Sequence, residues 1–187
     1  MLIVGLTGGI ASGKTFVSRI LRDLGAHVID ADRIVHDLLA PGQEANREVI
    51  GHFGKGIGFP DGSIDRRKLG NIVFNDPGER AWLNSLLHPK VFDVYHAQAK
   101  QIAGRDPRAI IVLDAALLVE TGYYKKMEKL IVVYAEPADQ ISRLTERDRF
   151  TCEQAEARIE SQMPLIEKKS FADYVIDNSG SREATEQ

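Results

Sequence analysis

Hydrophobic and polar positions fall into two regimes along this chain. Nearly unbroken apolar runs occur at Met1–Leu6, Ala109–Asp114 and Leu130–Ala135, with shorter ones at His27–Asp30 and Tyr174–Ile176. Short runs of this kind, rich in Ile and Val, predict strands covered on both faces, as in a parallel sheet. Between them, apolar residues recur every three or four positions: Val17, Ile20, Leu21 and Leu24, then Ile34, Val35, Leu38 and Leu39, later Ile141 and Leu144. That period predicts helices. Gly25 stops the first of them and Pro41-Gly42 breaks the second. Gln43–His52 predicts a short helix with Val49, Ile50 and Phe53 as its apolar side. Gly54–Gly62, with four glycines and one proline, predicts a loop.

Residues 65 to 103 hold helical patterns with no strand between them. Asp65 is placed to cap a helix carrying Leu69, Ile72, Val73 and Phe74. Pro77 suits a first helical position. Trp82, Leu83, Leu86 and Leu87 share one face, and Trp82 is expected in the core. His88-Pro89 predicts a break, with a further helix towards Ala103. After Leu130–Ala135, Pro137 predicts the first turn of a helix. Thr151 and Gln154 form a capping box for another, apolar at Ala155, Ile159 and Met163. The polar residues after Gly180 are expected to fray or to open a final helix.

Five strands joined by helical crossovers predict one open, mainly parallel α/β domain. Its core is expected over 1–60, 105–140 and 171–187, with a helical insertion at about 61–104 and a lid at about 141–170. In such sheets ligands bind beyond the carboxyl ends of the strands, so the residues following each strand are where chemistry is sought. After the first strand, Gly8–Thr15 reads Gly-Gly-Ile-Ala-Ser-Gly-Lys-Thr and fits G-x-x-x-x-G-K-[ST]. Its glycines let the backbone wrap a polyphosphate. Lys14 is placed for the β- and γ-phosphates, and the Thr15 hydroxyl for Mg²⁺. The strand, glycine loop, helix order makes this a three-layer phosphate-loop (P-loop) NTPase fold.

The second strand ends in Asp30-Ala31-Asp32. Two aspartates at a helix start can be N-caps. Beside a phosphate loop, Asp32 reads as a general base and Asp30 as a cap or supporting group. Asp114 reads equally as a Mg²⁺ ligand or a cap. Glu136, Asp177 and Asn178 follow the last two strands. Arg143, Arg147, Arg149 and Arg158 surround the Thr151-capped helix, but residues 143 to 169 carry six basic and six acidic side chains. A solvated helical pair and a mobile lid using one or two arginines both fit, and the lid is the reading adopted, with Arg147 first.

The five histidines, at 27, 36, 52, 88 and 96, show no metal-ligand spacing. A net charge of −3 over 187 residues argues against a nucleic-acid partner. The single cysteine, Cys152, excludes an intramolecular disulfide framework and has no suggested role. The N-terminal residues show no signal-peptide pattern and no apolar run approaches a membrane span, so a soluble cytoplasmic protein without a membrane partner is expected. Oligomeric state is not encoded in any of these patterns.

In order along the chain, Leu6-Thr-Gly-Gly-Ile-Ala-Ser-Gly-Lys14, Val28-Ile-Asp-Ala-Asp32, Leu86-Leu-His-Pro89, Leu117-Leu-Val-Glu120 and Asp173-Tyr-Val-Ile-Asp-Asn178 resemble the motifs of the dephospho-CoA kinase family. The resemblance implies ATP-dependent, Mg²⁺-assisted phosphorylation of the ribose 3′-hydroxyl of dephospho-CoA, the last step of coenzyme A synthesis. It implies Asp32 as catalytic base, Arg147 as lid arginine, and Ala11, Ser12, Gly13, Lys14, Thr15 and Phe16 as the ATP loop, with the Phe16 N–H reaching the α-phosphate. Arg67 and His88 fall in the block associated with the acceptor. The chain has Ala116 where the family usually has proline, and the family often continues in a further C-terminal helix. Two rival functions fit the phosphate loop alone. A kinase for a nucleoside monophosphate would need an arginine clamp, and the Asp-x-Asp segment favours an alcohol acceptor such as a sugar. A GTP-dependent switch would carry an Asn-Lys-x-Asp segment, which this sequence lacks.

Overall fold

The computed structural model describes residues 1–187. The five apolar runs are strands: β1 (Leu2–Gly8), β2 (His27–Asp30), β3 (Ile110–Asp114), β4 (Lys129–Tyr134) and β5 (Tyr174–Asp177). They form one sheet in the order β2-β3-β1-β4-β5, and every pair is parallel. β1 lies in the centre, with Leu6 opposite Asp114 on one side and Ile131 on the other. The helices are α1 (Lys14–Asp23), α2 (Ala31–Leu38), α3 (Glu44–Phe53), α4 (Arg66–Asn75), α5 (Pro77–Arg105), α6 (Pro137–Asp148), α7 (Cys152–Glu160), α8 (Leu165–Lys168) and α9 (Arg182–Glu186). No helix is long and apolar enough to cross a membrane.

The chain divides into two compact units: Met1–Asp30 with Ala99–Gln187, and Ala31–Gln98. In the first, Val4, Leu6, Val112 and Val133 project from one face of the sheet onto Val17 of α1, with Leu21 and Ile176 packed alongside. These are alternate strand positions, as a pleated sheet requires. Gly25, at φ 93°, ends α1 where the pattern places its stop. The second unit is built on Leu39, Ala45, Val49, Ile57, Ile64, Leu69 and Leu87, with Trp82 partly buried against them. α2 and α3 therefore share a core with α4 and α5. The unit begins at Ala31, where sequence spacing put its start near 61, because composition does not reveal which core a helix joins.

The polar residues after Gly180 open a final helix, the second of their two readings: α9 forms, and Ser181 caps it by accepting the Ala184 N–H. One local expectation needs correcting. His88-Pro89 does not interrupt α5, which continues from Pro77 to Arg105. Leu87, Val91, Tyr95 and Ala99 are all buried and sit four residues apart, so one apolar stripe runs straight past the ring. Burial along that stripe outweighs the helix penalty of an interior proline, about 3 kcal/mol. Replacing Pro89 with Ala is expected to raise the melting temperature, by as much as roughly 6–12 °C if that whole penalty is relieved. A calorimetric scan showing no rise would mean that the neighbouring turns have been built around the proline ring.

Candidate active site

Gly8–Thr15 leaves the carboxyl end of β1 and enters α1. Glycine is required at two of its positions. A Cβ on Gly8 would stand 2.5 Å from the Ser12 hydroxyl and 2.9 Å from the Val133 carbonyl. Gly13 has φ 93°, and a Cβ there would run into the Asn178 side-chain amide. Ala11 also adopts a left-handed backbone, at φ 57°. The other non-glycine residue to do so is Arg149, at the joint between α6 and α7. Residues held there carry strain that the surroundings must support.

Around the loop, that support comes from outside the curl. The Gly8 carbonyl accepts from Lys168 Nζ at 3.5 Å. The Gly9 carbonyl accepts the Ser12 N–H at 3.1 Å, and the Ile10 carbonyl accepts from Gln140 Nε2 at 2.6 Å. Arg143 Nη1 donates to the carbonyls of Ala11 and Ser12 at 3.2 and 3.4 Å. Asn178 Nδ2 also donates to the Ser12 carbonyl, at 2.8 Å, and the Gly13 carbonyl accepts the Phe16 N–H at 2.9 Å. Each loop carbonyl is thus held by a donor. The N–H groups of Ala11, Gly13, Lys14 and Thr15 donate to no protein acceptor. Unclaimed backbone donors beside secured carbonyls suit anionic oxygen. Ser12 buries its hydroxyl without a partner and spends its N–H on Gly9. The Phe16 N–H, expected at an α-phosphate, closes the first turn of α1 on Gly13. The Phe16 ring is flanked by the guanidinium groups of Arg19 and Arg182 at 5.2 and 5.7 Å.

Lys14 forms an ion pair with Asp114 at the end of β3, and the Ser18 hydroxyl, one helical turn further on, donates to the same carboxylate. Asp114 is 2% exposed. It acts here as the anchor of Lys14 and Ser18 rather than as a helix cap. The hydroxyl-bearing residue Thr15 is exposed.

The remaining residues singled out in the sequence lie elsewhere. Arg147 lies in the last turn of α6 with its side chain 64% exposed and forked onto Asp148, through Nε at 3.0 Å and Nη2 at 2.7 Å. That hydrogen-bonded pairing raises the arginine's pKa and lowers the aspartate's. An exposed pair of this kind contributes at most about 1 kcal/mol, so Arg147 can leave it at little cost. Arg158 lies over the Phe150 ring at 4.2 Å. Asp32, Arg67 and His88 belong to the second unit. Asp32 is exposed in the first turn of α2. Arg67 is exposed in the first turn of α4, where its N–H is capped by Asp65. His88 is half-buried in α5, and burial lowers its pKa below the ordinary histidine value, so its ring is neutral at pH 7.

The sequence reading missed Gln140, Gln162, Lys168 and the buried amide of Asn178. Only Asn178 carried a signal, as the residue after the last strand. The stretch 143–169, balanced in charge, includes Lys168 at 0% exposure, so it is not simply a solvated pair of helices.

Comparison with known proteins supplies the acceptor that the loop cannot. Residues 2–184 match the family described as Dephospho-CoA kinase. A dephospho-CoA kinase from Carboxydothermus hydrogenoformans is 49% identical over 187 residues, covering 99% of this chain and 89% of that one. A Thermus thermophilus crystal structure, TT1252, superposes with a TM-score of 0.81 at 30% identity, covering 99% of this chain and 92% of the other. The dephospho-CoA kinase structure from Campylobacter jejuni gives 0.66 at 31% identity, over 98% and 92%. With a phosphate loop on a five-stranded parallel sheet and a match along nearly its whole length, this chain belongs to the dephospho-CoA kinase family.

Proposed function

We propose that this protein transfers the γ-phosphoryl group of ATP to the ribose 3′-hydroxyl of dephospho-CoA, yielding ADP and coenzyme A. The observation that carries this reading is the family match over residues 2–184. The phosphate loop accounts for the donor half of the reaction. Its unclaimed N–H groups and the Lys14 ammonium suit a polyphosphate, and a side chain at Gly8 or Gly13 would collide with the groups that shape the loop. The oxygen donors beside it, the Thr15 hydroxyl and the Asp114 carboxylate, suit a hard cation such as Mg²⁺. When bound, Mg²⁺ neutralises charge on the β- and γ-phosphates.

Asp32 accepts the proton of the 3′-hydroxyl as that oxygen bonds to the γ-phosphorus, while the bond from phosphorus to the bridging β–γ oxygen breaks and ADP departs. Lys14 leaves Asp114 for the phosphates and spreads the transferred charge. Arg147 leaves Asp148 to do the same from the α6–α7 lid. His88, neutral, and Arg67 contact the acceptor from the helical unit. Positioning and electrostatics supply most of the rate, since phosphoryl transfer leaves little covalent chemistry to the protein. This reading makes dephospho-CoA the small-molecule partner and the cytoplasm the working compartment, without nucleic acid or membrane.

ADP release from Mg·ATP tests it with dephospho-CoA, AMP, shikimate and gluconate supplied in turn. Dephospho-CoA is expected to accelerate release far more than the others. Acceleration by another acceptor alone points to a different small-molecule kinase, and no acceleration by any acceptor points to a nucleotide switch.

A further inference from the structure

The buried ammonium of Lys168 is used by nothing in the reaction just described. Its side chain is 0% exposed, and its three neighbours are all acceptors: the Ala116 carbonyl at 2.9 Å, Glu120 Oε1 at 2.7 Å and the Gly8 carbonyl at 3.5 Å. A fully buried lysine is costly unless its charge is paired and its protons are used. A simple packing role at that position would be served better by methionine or leucine. Glu120 also accepts the Met163 N–H at 3.4 Å, just where the chain returns from α7. One residue before Met163, Gln162 Oε1 accepts the Ile10 N–H at 2.9 Å. The segment leaving α7 therefore holds the loop at Gly8 and at Ile10. On the other arm of the same helical pair, α6 holds Ile10, Ala11 and Ser12 through Gln140 and Arg143. Both ends of the α6–α7 pair grip the phosphate loop.

We propose that Lys168, with Gln162, is a positioning residue for the donor nucleotide: together they hold the outer edge of the phosphate loop so that its free N–H groups face the ATP phosphates. Lys168 does this by gathering Gly8, Ala116 and Glu120 on one ammonium. The consequence is that ATP affinity is set partly by the segment returning from α7, outside the phosphate loop itself. The inference rests on the kinase reading for its nucleotide. It does not depend on the identity of the acceptor.

The test uses the full chain with Lys168→Met and Gln162→Met, each checked for a cooperative melting transition. Mg·ATP binding is measured by isothermal titration without acceptor, and KM values for both substrates are measured separately. Lys168→Met is expected to weaken ATP binding about tenfold to a hundredfold, the range for a charged hydrogen bond. Gln162→Met is expected to weaken it about three- to tenfold, as for a neutral one. KM for dephospho-CoA should stay within about twofold in both variants. A folded Lys168→Met protein that binds ATP within about twofold of the parent overturns the proposal, as does an equal loss for both substrates, which a general structural role would give. If Lys168→Met does not fold, Gln162→Met decides: unchanged ATP affinity there overturns the proposal. Because titration needs no acceptor, a chain that binds ATP normally yet fails to phosphorylate dephospho-CoA would count against the proposed reaction and leave this comparison intact.

Discussion

Asp32→Asn is expected to lower turnover about 10²- to 10⁴-fold, the usual contribution of a positioned general base, while leaving ATP affinity within about twofold. Asparagine keeps the size and the hydrogen-bonding reach of aspartate but cannot take the 3′-hydroxyl proton. The substitution also separates the two roles that a residue in the first turn of α2 can have. Asparagine caps helices about as well as aspartate. If Asp32 served only the helix end, Asp32→Asn would be nearly silent in both stability and rate. As the base, it should leave the melting temperature unchanged and cost rate alone. Single-turnover measurements at saturating Mg·ATP and dephospho-CoA read this difference directly. Near-normal turnover would remove Asp32 from the base role.

Lys14→Met is expected to act on stability and catalysis together. The ammonium is the ionic partner of Asp114, a carboxylate 2% exposed, and its loss leaves that charge buried with the Ser18 hydroxyl as donor. Breaking one side of a buried pair costs about 3–5 kcal/mol, a fall of roughly 6–20 °C in melting temperature for a chain of this length. Turnover should drop about 10²- to 10³-fold, as when one preorganised charge-stabilising donor is removed, and ATP affinity should weaken as well. The double variant Lys14→Met/Asp114→Asn separates the two effects. A neutral amide at 114 still accepts the Ser18 hydroxyl, so most of the lost melting temperature should return while the lost turnover should not. Recovery of turnover in the double variant would show that Lys14 acts through the fold rather than on the phosphates.

Strands and loop were legible in the sequence because their signals are local. β2 lies at His27–Asp30 as the apolar run indicates, and the spacing of Gly8, Gly13, Lys14 and Thr15 is itself the phosphate-loop motif. Capping was equally local: Asp65 caps α4, and Thr151 with Gln154 forms the capping box of α7. The contacts that shape the loop were not legible. Gln140 meets Ile10 across 130 residues, Lys168 meets Gly8 across 160, and Asn178 meets Ser12 across 166. Periodicity records which face of an element is apolar, and it carries nothing about a polar partner brought up from another part of the sheet edge. Lys168 follows a glutamate and precedes another lysine, so its neighbours suggest a solvated turn. Only the fold shows it fully buried. Pro89 misled for a related reason. Local propensity favours a break there, and the apolar stripe from Leu87 to Ala99 overrides it.

Phosphoryl transfer to one hydroxyl of one acceptor leaves a distinctive product, which ³¹P NMR resolves. With Mg·ATP and dephospho-CoA present, ADP is expected together with an equal amount of a single new phosphomonoester on the ribose 3′-oxygen, identical to that of coenzyme A. ADP accompanied only by inorganic phosphate, or a phosphomonoester at any other position, would contradict this transfer.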